Sequence, residues 1–161
     1  MKIKSRIQLR KSVKNSLLKE MISLFGEEIS KLEKSVFEKI TIGEYTIILV
    51  DGKPLFIELE GAIYPTVKGA LELKLKKRQV VVDKGAIRFV YNGADIMSPG
   101  VVEADPEINE GELVIVVEEI HRKPLAVGKA LMDGASMVEA TSGKAVKSII
   151  HVGDKIWNLE I

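Results

Sequence analysis

A glycine- and proline-rich stretch near the middle of the chain constrains the fold more than any other feature. The segment "KGAIRFVYNGADIMSPGVV" (residues 84–102) holds three glycines and a proline, in a chain of 161 residues with only 13 glycines and 5 prolines. Glycine accepts unusual backbone conformations and lets another backbone or a ligand approach closely. Asn92 with Gly93 is typical of a helix end, and Pro99 with Gly100 is typical of a turn into a strand. The segment therefore predicts a short helix, a turn and then a strand.

Hydrophobic periodicity predicts one helix and several strands in the N-terminal half. Apolar residues recur with a 3.6-residue period in "KSVKNSLLKEMISLF" (residues 11–25), which predicts an amphipathic helix ending near Gly26. Short segments rich in β-branched residues follow, and Asp51 with Gly52 between two of them predicts a hairpin. Thr66 stands where it can cap a further short helix.

The second half alternates strand-like segments with turns. The charged run "KLKKRQ" (residues 74–79) favours neither helix nor strand and predicts a domain boundary near residue 76. Beyond it, we predict that Ala86, Phe89 and Val90 share one apolar face of a helix. The predicted strands are "RQVVVD", "GVVEAD", "GELVIVVEE", "PLAVGKAL" and "AVKSIIHV". Several short strands with one or two helices predict a small mixed barrel.

Charge is distributed unevenly, although the net charge is only +1. Residues 1–19 hold seven bases and no acid, residues 68–79 hold five bases and one acid, and residues 101–120 hold seven acids and no base. A basic face attracts phosphate, but solvated helix faces explain the same pattern, so charge alone leaves both interpretations open. The candidate basic surface consists of Arg6, Arg10, Lys11, Lys14, Lys76, Lys77 and Arg78.

Several classes of function find no support in the sequence. The chain has no cysteine, which excludes disulfides, thiolate zinc sites and a cysteine nucleophile. No apolar stretch approaches the roughly 20 residues that span a bilayer, so we expect a cytoplasmic protein without a membrane partner. Neither a P-loop nor a nucleophile elbow is present, and the two histidines do not form a metal-binding pattern. We expect a non-enzyme with no catalytic residue, metal or cofactor.

The C-terminal half resembles a known RNA-binding domain. In chain order, "VVVDKGAIRFVYNGADIMSPGVVEAD", "INEGELVIVVEE", "KPLAVGKALMD" and "GKAVKSIIHVGDKIW" resemble the PUA domain, the pseudobarrel shared by pseudouridine synthases and archaeosine transglycosylases. The N-terminal half, with "YPTVKGALEL" leading into that domain, resembles the pre-PUA module of the malignant T-cell amplified sequence family and its archaeal relatives. The resemblance implies an α+β protein, with an N-terminal α/β pre-PUA domain at residues 1–76 and a C-terminal PUA-type β pseudobarrel at residues 77–161.

The resemblance also implies RNA binding without catalysis. In PUA domains the glycine-rich segment after the first helix and the final strand form a groove that receives RNA, often the 3′ end of tRNA or an adjoining stem. We therefore expect binding of tRNA or small-subunit ribosomal RNA in translation initiation, reinitiation or recycling. The implied partners beyond RNA are the small ribosomal subunit and an initiation-factor-like protein. The alternative is an accessory protein that presents tRNA to a separate RNA-modifying enzyme.

The implied groove gives a set of candidate contacts, each with a structural alternative. Lys84 and Arg88 lie four residues apart, so they either contact phosphate or form a solvated helix face. Asp95 either accepts from a base or, by preference, caps the turn before Met97. We expect the sole tryptophan, Trp157, to pack against the barrel from a closing strand. The predicted RNA-binding residues are Lys84, Arg88, Gly93, Ala94, Asp95, Pro99, Gly100, Lys144, Lys147 and His151.

Overall fold

Two units make up the structure, which is a computed structural model and describes residues 2–161. The first unit comprises residues 2–77 with Glu160–Ile161, and the second comprises Arg78–Leu159. The assignment of residues 1–76 and 77–161 as the bounds of the two domains stays a prediction. Within residues 2–161, no helix is both long enough and apolar enough to cross a membrane.

An antiparallel sheet of five strands forms the framework of the first unit, and its strands are neighbours in chain order. The strands are β1 (Ile3–Gln8), β2 (Phe37–Ile42), β3 (Tyr45–Val50), β4 (Lys53–Leu59) and β5 (Ala62–Pro65). The helices are α1 (Lys11–Phe25), a 3₁₀ helix at Glu27–Leu32 and α2 (Val67–Leu73). The central strands β3 and β4 carry runs of consecutive buried residues, so both faces of the sheet are covered there.

Three local predictions for this unit are confirmed. Helix α1 covers the predicted residues and ends at Gly26, whose φ is +105°. Asp51 and Gly52 have φ of 49° and 83° and form the two-residue turn between β3 and β4, as a tight hairpin requires. Thr66 caps α2, because its hydroxyl oxygen accepts the N–H of Gly69 at 2.9 Å.

A six-stranded sheet with the order β7-β11-β10-β9-β6-β8 forms the second unit. All neighbours are antiparallel except β6 and β9, which run parallel. The strands are β6 (Gln79–Val82), β7 (Ile96–Met97), β8 (Val101–Ala104), β9 (Leu113–Glu118), β10 (Pro124–Ala130) and β11 (Lys144–His151). The helices are α3 (Ile87–Tyr91), α4 (Gly134–Glu139) and 3₁₀ helices at Lys84–Ala86 and Ser98–Gly100.

The two edge strands of this sheet, β7 and β8, are joined by only three residues, the 3₁₀ helix Ser98–Gly100. Because this link is so short, the sheet must curl until its edges lie close together, which makes it a nearly closed pseudobarrel. Two backbone hydrogen bonds fasten the link: Asp83 N–H donates to the Gly100 carbonyl at 3.0 Å, and Ser98 N–H donates to the Gly143 carbonyl at 2.9 Å. The predicted α+β class with a C-terminal β pseudobarrel is confirmed.

Apolar side chains fill the interior of the pseudobarrel. The core contains buried residues from all six strands of the sheet and from α3 and α4. Its fully enclosed members include Val80, Val82, Val114, Val116, Ala126, Met137, Ala145 and Val146. Burial of one such valine or methionine side chain contributes about 1.5–3 kcal/mol. A packed interior leaves no room for a ligand inside the barrel, so a binding site has to lie on its outer surface.

The predicted apolar face of Ala86, Phe89 and Val90 is divided between two elements, since Ala86 lies in the 3₁₀ helix and the other two lie in α3. Val90 is buried and Phe89 is 52% exposed. One expectation for this unit is wrong. Residues 152–158 form turns instead of a closing strand. The Asp154 carboxylate accepts the N–H of Trp157 at 2.8 Å, a local contact that is typical of a turn. Ile156 is the buried residue of this segment, whereas Trp157 is only partly buried.

Candidate nucleic-acid interface

A pocket of about 590 Å³ opens on the second unit beside α3 and the Ser98–Gly100 link. Its walls are mainly apolar, and two large side chains in them are about half exposed, Phe89 at 52% and Met97 at 47%. The only charged side chains in the wall are two carboxylates and one ammonium group. The lining residues are Asp83, Gly85, Ala86, Phe89, Val90, Ala94, Asp95, Ile96, Met97, Pro99, Gly100 and Lys144.

Half of the ten predicted RNA-binding residues line this pocket, namely Ala94, Asp95, Pro99, Gly100 and Lys144. Gly93 and His151 contact each other outside the lining. Gly93 has φ of +81°, and a Cβ placed on it would lie 2.9 Å from Nε2 of His151. His151 Nδ1 is 2.9 Å from the Val152 carbonyl oxygen, and since a carbonyl only accepts, Nδ1 donates the proton. Glycine at this position therefore allows the loop after α3 to pack against the end of β11.

Lys84, Arg88 and Lys147 lie outside the pocket lining. The first two do not share one α-helix as predicted, because Lys84 belongs to the 3₁₀ helix Lys84–Ala86 and Arg88 belongs to α3. The backbone N–H of Lys84 donates to the Glu119 carboxylate at 3.2 Å. The guanidinium carbon of Arg88 lies 4.8 Å from the centre of the Phe89 ring, so this cation is next to the aromatic wall of the pocket.

Asp95 connects the pocket wall to β11. Its Oδ2 accepts from Lys144 Nζ at 3.1 Å, and its Oδ1 accepts from the Ser148 N–H at 3.0 Å. The preferred prediction, that Asp95 caps its own turn, is wrong because both bonds run to a strand about 50 positions later in the chain. Partial burial by itself would raise the pKa of Asp95, but the Ser148 N–H and the Lys144 ammonium outweigh burial and lower the pKa.

Replacing Asp95 with Ala is expected to lower the free energy of unfolding at pH 7 by about 1–2 kcal/mol, because the Ser148 N–H loses its acceptor. A carboxyl group whose pKa is lowered by folding stabilises fully above its ordinary pKa of 3.8 and loses this effect as the pH falls through the lowered value. Urea unfolding of both proteins from pH 7 to pH 2 should thus show the difference shrinking below pH 4. Asp95→Asn, which keeps an acceptor oxygen, should be less destabilised than the Ala variant. A difference independent of pH would contradict the assigned role of the charge.

The candidate basic surface is partly neutralised by acids of the same unit. Arg6 on β1 pairs with Glu38 on β2 at 2.7 Å, and Arg78 pairs with Glu112 at 2.7 Å. Lys14 is partly buried, and its Nζ donates to a backbone carbonyl oxygen at 2.5 Å. Arg6 is exposed although it is paired, and Arg10, Lys11, Lys76 and Lys77 are exposed as well.

Sequence reasoning missed the apolar half of the pocket. Phe89 was predicted only as part of an apolar helical face, and Met97 only as the residue that follows a predicted turn, yet both line the pocket. An apolar residue in a short helix gives no local signal that it faces solvent. The glycine and proline content of residues 84–102 predicted that the backbone is closely approached, but it did not identify the side chains that line the pocket.

Sequence comparison finds relatives over the full length of both units. A family model described as the PUA domain matches residues 78–152. An uncharacterized protein of Methanocaldococcus jannaschii is 43% identical, and the alignment covers 99% of each chain. Translation machinery-associated protein 20 of Saccharomyces cerevisiae is 25% identical over 99% of this chain and 94% of its own length. Malignant T-cell-amplified sequence 1 of Danio rerio is 26% identical over 98% of this chain and 91% of its own.

Solved structures show the same fold. A hypothetical protein from Pyrococcus horikoshii matches with a TM-score of 0.88 and 41% identity, covering 95% of this chain and 98% of that one. A PUA domain protein from Aeropyrum pernix matches with a TM-score of 0.83 and 32% identity, covering 95% of this chain and 89% of that one. Both similarities therefore extend well beyond the segment that the family model matches.

Proposed function

The chain belongs to the family of PUA-domain proteins that includes translation machinery-associated protein 20, malignant T-cell-amplified sequence and their archaeal relatives, and from this we propose that it binds RNA in translation without catalysing a reaction. The proposed ligands are the single-stranded 3′ end of tRNA and, secondly, small-subunit ribosomal RNA. The proposed partners are the small ribosomal subunit and an initiation-factor-like protein. The name of one full-length relative, translation machinery-associated protein 20 of Saccharomyces cerevisiae, supports a role with the translation machinery.

The pocket beside α3 is the observation that carries this proposal. Its volume lies within the range of about 300–1,000 Å³ that is usual for small-ligand sites. Phe89 gives it a half-exposed aromatic face, and stacking of one base on such a face is worth about 1–3 kcal/mol. Asp95 and Lys144 supply an acceptor and a cation in the same wall. An apolar pocket with a few polar groups suits an unstacked base better than a double helix, which hides its bases.

Cations around the pocket supply the proposed phosphate contacts. Arg88 lies against Phe89, Lys84 begins the 3₁₀ helix that leads into the pocket wall, and Lys147 follows Lys144 on β11. Contacts of this kind fix the position of a nucleic acid without reading its sequence. The proposed site thus combines one base-sized apolar pocket with a basic margin.

Fluorescence anisotropy with labelled tRNA tests the proposal. We expect unfractionated tRNA to bind, and we expect the affinity to fall when the 3′-terminal nucleotides are removed by exonuclease. Co-sedimentation with purified small ribosomal subunits, with and without deacylated tRNA, tests the ribosomal partner. Absence of binding to tRNA and to ribosomal RNA would contradict the proposal. Co-purification with a tRNA-modifying enzyme, without binding to small subunits, would favour the accessory role.

A further inference from the structure

Two lysines lie directly opposite each other on neighbouring strands of the pseudobarrel. Lys129 on β10 is the register partner of Lys147 on β11, and both residues are exposed. Side chains at opposed positions of an antiparallel pair leave the same face of the sheet, with Cβ atoms about 4.5–5.5 Å apart. The two ammonium groups are therefore held on one patch of the outer surface.

No ion pair of the described chain neutralises this patch. Within residues 2–161 neither lysine forms an ion pair, and on its other side Lys129 is opposed by the apolar Leu113 of β9. Asp95 interacts electrostatically with Lys147, but it already binds Lys144 and the Ser148 N–H. Because one carboxylate cannot balance both Lys144 and Lys147, and Lys129 adds a further charge opposite Lys147, the patch keeps an excess of positive charge.

The two strands that carry these lysines approach each other closely. Gly128, next to Lys129, approaches β11 so closely that a Cβ placed on it would lie 2.3 Å from the carbonyl oxygen of Lys147. Like charges directly opposite each other in a sheet destabilise it. The fold therefore holds two ammonium groups together at a cost in stability, and an anion bound between them would remove that cost.

We propose that the Lys129–Lys147 pair binds a backbone phosphate of an RNA strand whose terminal base occupies the pocket beside α3. This inference rests on the proposed function and adds Lys129, a residue of β10, to the binding surface. Lys144 lines the pocket and precedes Lys147 by three positions on β11, a distance of about 10 Å along a strand. Strand β11 therefore leads from the pocket to the Lys129–Lys147 pair. A ligand with a base at one end and phosphates along its length fits this arrangement better than an acidic protein segment does, which favours RNA.

Charge reversal at Lys129 should raise the thermal stability of the protein and lower its affinity for RNA. In K129E a Glu stands opposite Lys147, so the midpoint of thermal unfolding should rise by about 1–3 °C. The affinity for a fluorescein-labelled 12-nucleotide single-stranded RNA should fall about fivefold to tenfold at 100 mM salt. K147E should behave in the same way. An unfolding defect cannot produce a higher unfolding midpoint together with weaker binding.

Neutral and distant variants separate the possible outcomes. The double variant K129Q/K147Q should reduce the slope of log affinity against log salt by about 0.7, since the pair contacts one phosphate and each phosphate contact on a single strand contributes about 0.7. K34E, an exposed lysine of the first unit, makes the same change in net charge and should leave the affinity within twofold.

Three results would overturn the assignment. Unchanged RNA affinity in K129E and K147E, with wild type binding normally, would remove the pair from the RNA site while leaving the proposed function intact. The same result with lost binding of a deca-glutamate peptide would assign the pair to an acidic protein segment. Failure of wild type to bind RNA at all would instead refute the proposed function itself, and the phosphate assignment with it.

Discussion

Replacing Phe89 with Ala is expected to weaken the binding of a 12-nucleotide single-stranded RNA by roughly 5-fold to 150-fold, the range that corresponds to about 1–3 kcal/mol of lost stacking. The ring lines the pocket and is 52% exposed, so its removal takes little packing from the core. Fluorescence anisotropy should show the loss of affinity, and thermal unfolding should show a midpoint within a few degrees of wild type. Phe89→Trp, which keeps an aromatic face, should retain most of the affinity.

Tyr91 provides a matched control for this prediction. It lies on the same helix, its side chain is 48% exposed, and it does not line the pocket. Tyr91→Ala removes an aromatic ring of similar size and exposure, so we expect RNA affinity to change less than twofold. Equal losses in both variants would mean that the aromatic contact is not specific to the pocket, and would contradict base stacking on Phe89.

Replacing Gly128 with Ala is expected to lower the free energy of unfolding by about 2–3 kcal/mol, because overpacking a closely packed region typically costs 1–3 kcal/mol. The added Cβ would lie 2.3 Å from the Lys147 carbonyl oxygen and 2.7 Å from Val146 Cγ1. The first of these atoms belongs to the backbone, so β10 and β11 would have to separate. Thermal unfolding should show a midpoint lower by about 5–10 °C.

Gly100→Ala is the control for this second change. A Cβ on Gly100 would meet only the Ala86 Cβ at 3.6 Å, an ordinary contact, and φ there is not positive. We expect its free energy of unfolding to stay within about 0.5 kcal/mol of wild type. Equal destabilisation of both variants would contradict the assignment of the cost at Gly128 to the close approach of the two strands.

Local sequence patterns predicted those elements whose structure is set by residues next to each other in the chain, either by an apolar periodicity or by residues that favour a turn. Helix α1 and the hairpin at Asp51 and Gly52 belong to this class, since periodicity and positive φ are properties of neighbouring residues. Strand β1 was not predicted, because all six of its residues are exposed and no apolar alternation marks them. The exposure of Phe89 on α3 was not predicted, because an apolar residue in a short helix gives no local signal that it faces solvent.

The site depends on contacts between distant parts of the chain, and these are harder to predict. Asp95 finds its partners Lys144 and Ser148 about 50 residues later, so nothing near it in the sequence indicates them. Lys129 and Lys147 become neighbours only through the β10–β11 register, which shifts by one residue between Val127 and Gly128. A family resemblance predicted which segments meet at the groove, but it did not identify the apolar wall.

The link at Ser98–Gly100 belongs both to the closure of the barrel and to the pocket wall, so the pocket requires a closed barrel. Pro99 and Gly100 lie in the pocket wall, and the same three residues hold the first and last strands of the curled sheet together. A molecule whose barrel opened at this seam would lose the proposed binding surface, and its edge strands β7 and β8 would become more accessible to strands of other chains. A ligand that binds only the closed barrel would shift the equilibrium toward the closed form and so disfavour aggregation.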